Sequence, residues 1–186
     1  MNRALCTPSG PALRLTGGHT YSELGRSVRV AVEVQVRRAM LADLASLATW
    51  SGNVDAVFRP AVESGRGVLL VASANGRFPI GHMLVDLRSR EADGIAVLSH
   101  LQVLGGFRDQ GIGGGLVDEG EGIARQAGLD KAQLAVEKVN TPAKRLYERH
   151  GYEVIGESVD RWPEPGPDGS LRDVDHPSWV MQKVLR

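Results

Sequence analysis

The chain has 186 residues, 42% of them hydrophobic, and its 22 Lys and Arg balance 22 Asp and Glu for a formal net charge of +0 at neutral pH. A chain of that size buries a core of its own, so one small domain suffices, and a field with no excess of either sign argues against nucleic acid or an anionic membrane as partner. No apolar run reaches the about 18 residues of a spanning helix, no apolar signal core stands at the N-terminus, and the lone cysteine, Cys6, excludes an internal disulfide and a cysteine-based metal site. These features predict a cytoplasmic protein without a metal.

Residues 1–29 scatter Gly, Pro, Ser and Thr without a sustained period and read as a disordered or loosely attached extension, leaving 30–186 as a single domain. Val32, Val34 and Val36 then alternate with Glu33, Gln35 and Arg37, as a half-buried strand does. Met40, Leu41, Leu44, Leu47 and Ala48 recur at helical spacing, and a second helix is predicted over Asp55–Glu63, kinked or broken by Pro60. Gly67–Ala74, the turn signal Asn75-Gly76 and Ile80–Leu87 predict a hairpin, followed by a third strand at Ile95–Val103. A helix over Gly113–Gln126 stops at Gly128, Lys131–Val136 is a short strand, and Thr141–His150 is a helix closed by Gly151. Glu153–Val159 is a strand, and a proline-rich loop through Pro163, Pro165 and Pro167 leads to a last strand at Trp179–Leu185. The order β-α-α-β-β-β-α-β-α-β-β is mixed α/β.

Arg108-Asp109-Gln110-Gly111-Ile112-Gly113-Gly114-Gly115 follows a predicted strand and opens a predicted helix. Glycines there let an anion approach the unpaired N–H groups of the first helical turn, where the helix dipole favours negative charge, and Arg108 is placed to meet a second phosphate. A dinucleotide fingerprint fails, because counting from Gly111 and Gly113 puts Leu116 where the third glycine belongs. A Walker loop fails as well, since no lysine lies between Met1 and Asp130.

Arg108, Gly111 and Gly113 match the Gln/Arg-x-x-Gly-x-Gly/Ala pattern of the GCN5-related N-acetyltransferase (GNAT) family, and Asn140 to Tyr152, with Asn, Ala, Leu-Tyr and Gly-aromatic in order, resembles its later motif. The likeness covers Leu98–Gly156 most fully and extends back to Val34. It implies a mostly antiparallel central sheet flanked by helices, acetyl-CoA as co-substrate, and direct acetyl transfer to a primary amine on a small molecule or peptide; a homodimer is compatible with it. By the same likeness the strand through Leu101, Gln102 and Val103 splays from its neighbour and holds pantetheine through its main chain, the Val103 region lying near the thioester carbonyl, while Arg108, Asp109, Gln110, Gly111, Ile112, Gly113, Gly114 and Gly115 cradle the pyrophosphate. Leu101 and Val103 read equally as core by their side chains.

Such a transfer needs a neutral amine, a stabilised oxyanion and a proton for the departing thiolate. Tyr147, whose phenol stays protonated at neutral pH, is the candidate acid, and a packed tyrosine beside Leu146 is the alternative. Asn140 resembles the asparagine that hydrogen-bonds the cofactor, and it equally suits a helix cap before Thr141-Pro142. The family's acidic residue on the fifth strand is Ala135 here, so the candidate bases are Glu137, on the same strand face, and His100, with a water chain as a further route. Glu157, Asp160, Glu164, Asp168, Asp173 and Asp175 outnumber Arg161 and Arg172 in a segment that borders the acceptor in the family, which favours a cationic amine, and Trp162 either packs on the acceptor or anchors the loop. A silent acyl-CoA-binding or sensing module, or a nucleotide-phosphate binder unrelated to CoA, would use the same cradle without turnover.

Overall fold

The computed structural model describes residues 13–15, 32–52, 54–165 and 170–186. Among them, β1 (Leu13–Leu15), β2 (Val32–Arg38), β3 (Gly67–Ala74), β4 (Phe78–Arg90), β5 (Ile95–Val103), β6 (Lys131–Glu137), β7 (Glu153–Pro165) and β8 (Leu171–Val184) form one sheet in the order β1-β2-β3-β4-β5-β6-β8-β7. All neighbours are antiparallel except β5 and β6. The helices are α1 (Leu41–Leu47), α2 (Arg59–Ser64), α3 (Ile112–Gln126) and α4 (Thr141–Arg149). The mixed, mostly antiparallel sheet and the helix order are those predicted. Of the extension expected over residues 1–29, only Leu13–Leu15 is described, as an edge strand on β2; the rest lies outside the described residues.

The two faces of the sheet are covered separately. On one, Ile112, Leu116, Val117, Ile123 and Ala124 of α3 bury against a core that includes Leu70, Met83, Val85 and Leu98. Close contact there requires Gly120, where an added Cβ would stand 2.4 Å from the Met83 methyl. On the other, Leu44, Leu47, Val54 and Phe58 pack on Leu69, Val71 and Leu84.

The segment expected as one helix broken or kinked at Pro60 is a π-helical turn over Val54–Phe58 followed by α2, so the helical type changes just before Pro60, which sits in the first turn of α2, where no N–H is needed. Two local expectations are corrected. Strand β4 runs past Leu87 to Arg90. The last hairpin is much longer than predicted, with β7 extending to Pro165 and β8 beginning at Leu171. Prolines 163 and 165 read as loop because they cannot donate to a ladder, yet β7 is an edge strand with one side unpaired, and an edge tolerates proline. The Arg161–Asp175 pair, 2.6 Å, ties the arms together.

The N-terminus of α1 is held by one carboxylate. Asp43 takes Arg37 Nη1 at 2.7 Å and Nη2 at 2.8 Å, and also accepts the Met40 N–H at 2.7 Å. Burial alone would raise the Asp43 carboxyl, but the guanidinium fork and the amide outweigh it and hold it below its ordinary value. Its stabilising contribution is therefore complete above the ordinary carboxylate range and is lost as the pH falls through the lowered value. Asp43→Ala is expected to cost about 1 to 3 kcal/mol in urea unfolding at neutral pH, with most of that difference gone once the parent carboxyl is protonated.

Candidate active site

Strands β5 and β6 pair in parallel only from Ile95↔Lys131 to Val97↔Gln133. Beyond that point β6 stays on β8 through Glu137↔Ser178, and β5 stays on β4 through Gly81↔Val103, so the two strands part. The splay predicted for the Leu98–Val103 stretch is present. Strand β5 also carries a bulge: His82 faces Gln102 and Leu84 faces Ser99, leaving His100 and Leu101 opposite Met83 alone. His100 takes φ 54°, uncommon for a residue with a Cβ.

The parted end of β5 leads to a cleft of about 490 Å³ lined by Leu101, Gln102, Val103, Arg108, Asp109, Gly111, Ile112, Gly113, Gly114 and Asn140, all singled out in the sequence. Gly111, at φ 82°, is the N-cap of α3, so the N–H groups of Ile112, Gly113 and Gly114 occupy the first-turn positions that have no partner inside the helix. Arg108 is tied by its Nε to the Val103 carbonyl, 3.0 Å, which anchors it to the end of β5. Asn140 lines the cleft and its Oδ1 also accepts the Ala143 N–H at 3.2 Å, so the cap reading holds for it. Leu101 and Val103 pack on the core as well as lining the cleft. The free N–H groups and the parted strand fit an acyl-CoA, the former for its phosphates and the latter for its extended arm.

Gln110, Gly115 and Tyr147, each also a candidate for cofactor contact, do not line this cleft; Gln110 donates to the Gly106 carbonyl, 3.3 Å, and the Gly115 N–H bonds back to Gly111, 3.0 Å. Two of the four glycines also have a reason the sequence did not disclose. A Cβ at Gly113 would meet Leu146 at 3.2 Å, and one at Gly114 would meet the His150 ring nitrogen Nε2 at 2.9 Å, so both make room for α4. His150 is held there by Asp118, 3.0 Å from its Nδ1. Arg149 lines the cleft and was missed; its signal was helical spacing, since Pro142, Leu146 and Arg149 share one face of α4.

Tyr147 lies under α4, 8% exposed and edge-on to Tyr152 at 5.9 Å. Burial pushes its phenol up to about 12, so it carries its proton at neutral pH. Glu137 is on the other face: Leu134 and Val136 belong to the α3 core, so alternation turns Glu137 away from it, toward Ser178 and His176, whose Nδ1 is 3.8 Å from Glu137 Oε2. His100 shares that face, its ring edge-on to Phe58 at 5.6 Å and its Nδ1 3.0 Å from Ser99 Oγ, and burial lowers its pKa. The two candidate bases thus flank the opening on one face, and the candidate acid lies on the other.

Behind His100 is a histidine the sequence reading passed over. His82 is 2% exposed, its ring 4.8 Å from Phe58 and 5.2 Å from Trp50, and neither its ring nitrogens nor the Trp50 indole nitrogen has a hydrogen-bond partner among the described residues. Burial drives its pKa down from 6.5 to about 4 against weaker opposing effects of the His100 backbone and the Gln102 side chain.

Two outcomes follow from this packing. Gly114→Ala is expected to destabilise by about 1 to 3 kcal/mol through the His150 ring, while Gly115→Ala, whose Cβ would reach only Val36 at 3.8 Å, is neutral or stabilising by up to about 1 kcal/mol in urea unfolding. For His82 the unfolded chain binds a proton that the folded one refuses, so stability falls as the pH drops from 6.5 toward 4. Unfolding measured across that range is expected to give His82→Phe an advantage over the parent that grows by roughly 3 kcal/mol at the acid end.

Residues 38–152 match the model of the Acetyltransferase (GNAT) family. The uncharacterized N-acetyltransferase YhfO of Bacillus subtilis (strain 168) is 33% identical over 101 residues, covering 53% of this chain and 67% of that protein. Among solved structures, a GNAT-family acetyltransferase from Streptococcus pneumoniae superposes with a TM-score of 0.63 at 20% identity, covering 82% of this chain and 99% of the other. NAA60 of Arabidopsis thaliana in complex with acetyl-CoA gives 0.66 at 17% identity, covering 82% and 98%. The ribosomal-protein-S18-alanine N-acetyltransferase of Escherichia coli gives 0.62 at 16%, covering 82% and 94%. At those identities the structures speak for the fold, and the family match with the one-third-identical relative speaks for descent: the chain belongs to the GNAT family of acetyltransferases.

Proposed function

We propose that this enzyme transfers an acetyl group from acetyl-CoA directly to the primary amine of a cationic small molecule or peptide. The observation that carries the reading is the parting of β5 from β6 beside the glycine-capped end of α3. The N–H groups of Ile112, Gly113 and Gly114 take the pyrophosphate, and Arg108 and Arg149 supply positive charge in the same cleft. The exposed main chain of Leu101, Gln102 and Val103 takes the pantetheine arm as an added strand would be taken. The NAA60 structure, which contains acetyl-CoA in the same fold, supports this choice of donor.

Bound there, acetyl-CoA supplies an activated thioester. Glu137 or His100 receives the acceptor's proton on the α1 and α2 side of the sheet, and Tyr147 donates to the leaving sulfur from the other side. Acceptor charge is the province of the β7–β8 hairpin. Arg161 occupies Asp175 and Lys138 lies 2.5 Å from Glu157, so among the described residues Asp160 and Asp173 carry the remaining attraction for a cation. The side chains of Trp162 and Glu164 are not described, and Asp168 lies outside the described residues.

Calorimetric titration with acetyl-CoA, followed by free-thiol detection over a panel of amines, peptides and aminoglycosides, tests the reading. Binding with CoA release is expected; tight binding with no release from any amine would favour a silent acyl-CoA module, and ATP binding that acetyl-CoA cannot displace would overturn the donor. With an acceptor in hand, Tyr147→Phe is expected to lower kcat by about 10² with acetyl-CoA affinity unchanged, whereas a loss within about threefold returns Tyr147 to a packing role. Asp160→Asn with Asp173→Asn is expected to raise the acceptor KM and flatten its salt dependence while the acetyl-CoA KM stays put.

A further inference from the structure

Strand β6 has β8 beside it as far as Glu137↔Ser178, after which the Asn140 N–H turns back to the Glu137 carbonyl, 2.9 Å, and the chain leaves the sheet for α4. The β7–β8 ribbon runs on without it, from Val159↔Pro177 to Pro165↔Leu171. Past Pro177, therefore, β8 has an edge with no strand on it among the described residues. The last bond from β6 fixes which groups line that edge. Lys138 donates to the Pro177 carbonyl, 2.8 Å, so by alternation the N–H and C=O of Asp175 and Asp173 face the vacated lane, while those of His176 and Val174 face β7. The two edges of the ribbon differ. Arg161, Pro163 and Pro165 lie opposite Asp175, Asp173 and Leu171, so their main chain points outward on the far side, where the two prolines have no N–H to offer another strand. No proline interrupts Leu171–His176, and the inner edge keeps its donors.

We propose that the acceptor is the amino terminus of an extended peptide, which takes the lane β6 gives up and adds to β8 as an antiparallel strand with its amine beside Glu137. The inference rests on the acetyltransferase reading above and names its acceptor. Glu137 ends β6 where the lane meets the parted end of β5, and its carboxylate lies on the His100 face beside His176. A peptide running in the direction of β6 has its first residue at that end and its later ones along Asp175 and Asp173. Parity follows from the edge. An amine that reaches toward β5 belongs to a residue opposite His176, because residues opposite Asp175 and Asp173 turn their main chain to β8. Peptide residues 2 and 4 then exchange N–H and C=O with Asp175 and Asp173, and residue 3 turns away. Charge favours a cationic end here: Glu137 stands at the head of the lane and Asp173 along it, while Asp175 is occupied by Arg161. Once neutral, the amine bonds to the acetyl carbonyl carbon as the C–S bond breaks, one amine proton passing to Glu137 or His100 and the sulfur taking one from Tyr147.

The probe is a degenerate set of lysine-free heptapeptides with a free amino terminus, offered with acetyl-CoA to the full chain and followed by free-thiol release. Release is expected with these peptides and not with the same set blocked at the amino terminus. Methylating the backbone nitrogen of residue 2 or residue 4 is expected to lower kcat/KM by about tenfold or more, and methylating that of residue 3 by less than about threefold, a period of two that side-chain recognition would not produce. Asp173→Pro removes an N–H that faces the lane and none that faces β7, and it is expected to raise the peptide KM about fivefold or more above that of Asp173→Asn, with the same acetyl-CoA KM in both. If Asp173→Pro does not fold, the methylated peptides on the parent carry the test. Equal losses at residues 2, 3 and 4, or no release from peptides by a protein that binds acetyl-CoA, overturns the proposal. So does a dimer of the parent that Asp173→Pro dissociates, which would put a second copy on the edge. A parent that fails to bind acetyl-CoA overturns the acetyltransferase reading, and this inference with it.

Discussion

The short parallel contact between β5 and β6 is the constraint on which the rest of the site depends. Three residue pairs join the two strands, and each is then retained by its other neighbour, β5 by β4 and β6 by β8. The gap is therefore stable without being closed, because neither strand has to leave the sheet in order to leave its partner. Its cost is a stretch of main chain on β5 with no ladder partner on that side, and unpaired backbone groups in a folded protein call for another one. An extended segment lying in the gap would satisfy them, so the sheet defect has the form of a binding slot.

At the end of α3 the glycines answer to packing as well as leaving the first-turn N–H groups open. Gly111 is required by its left-handed backbone, Gly113 and Gly114 by the approach of Leu146 and His150 from α4, and Gly120 by the Met83 methyl from the sheet. The helix that presents its N–H groups to the cleft and the helix that carries Tyr147 thus form one packed unit, latched by Asp118 and His150. The open N–H groups of α3 and Tyr147 are held in fixed relation by packing.

Local rules fail beside the parted strand. A non-glycine residue in the left-handed region, a bulge, and three buried ring nitrogens without partners among the described residues lie within one group of side chains, Trp50, His82 and His100. Bulges at Ala72/Ser73 and Val154/Gly156 and a buried hydroxyl without a partner among the described residues, Ser158, occur elsewhere in the sheet, so it is the left-handed His100 that sets this spot apart.

The sequence by itself determined the class, the order of elements, the glycine-capped helix and most of the residues lining the cleft, because these follow from period, turn chemistry and motif within short windows. Asn75-Gly76 turns the β3–β4 hairpin with both residues at positive φ, as the dipeptide announces. Only the tertiary structure decided where β5 leaves β6, since pairing is a property of two strands and neither one's pattern records its end. It alone placed Glu137 and His100 on one face with Tyr147 on the other, and it alone joined Trp50, Phe58 and His82 behind the bulge. Prolines 163 and 165 show the same limit: their chemistry forbids a ladder bond, and whether that matters depends on the strand being at an edge, which is settled by what packs beside it.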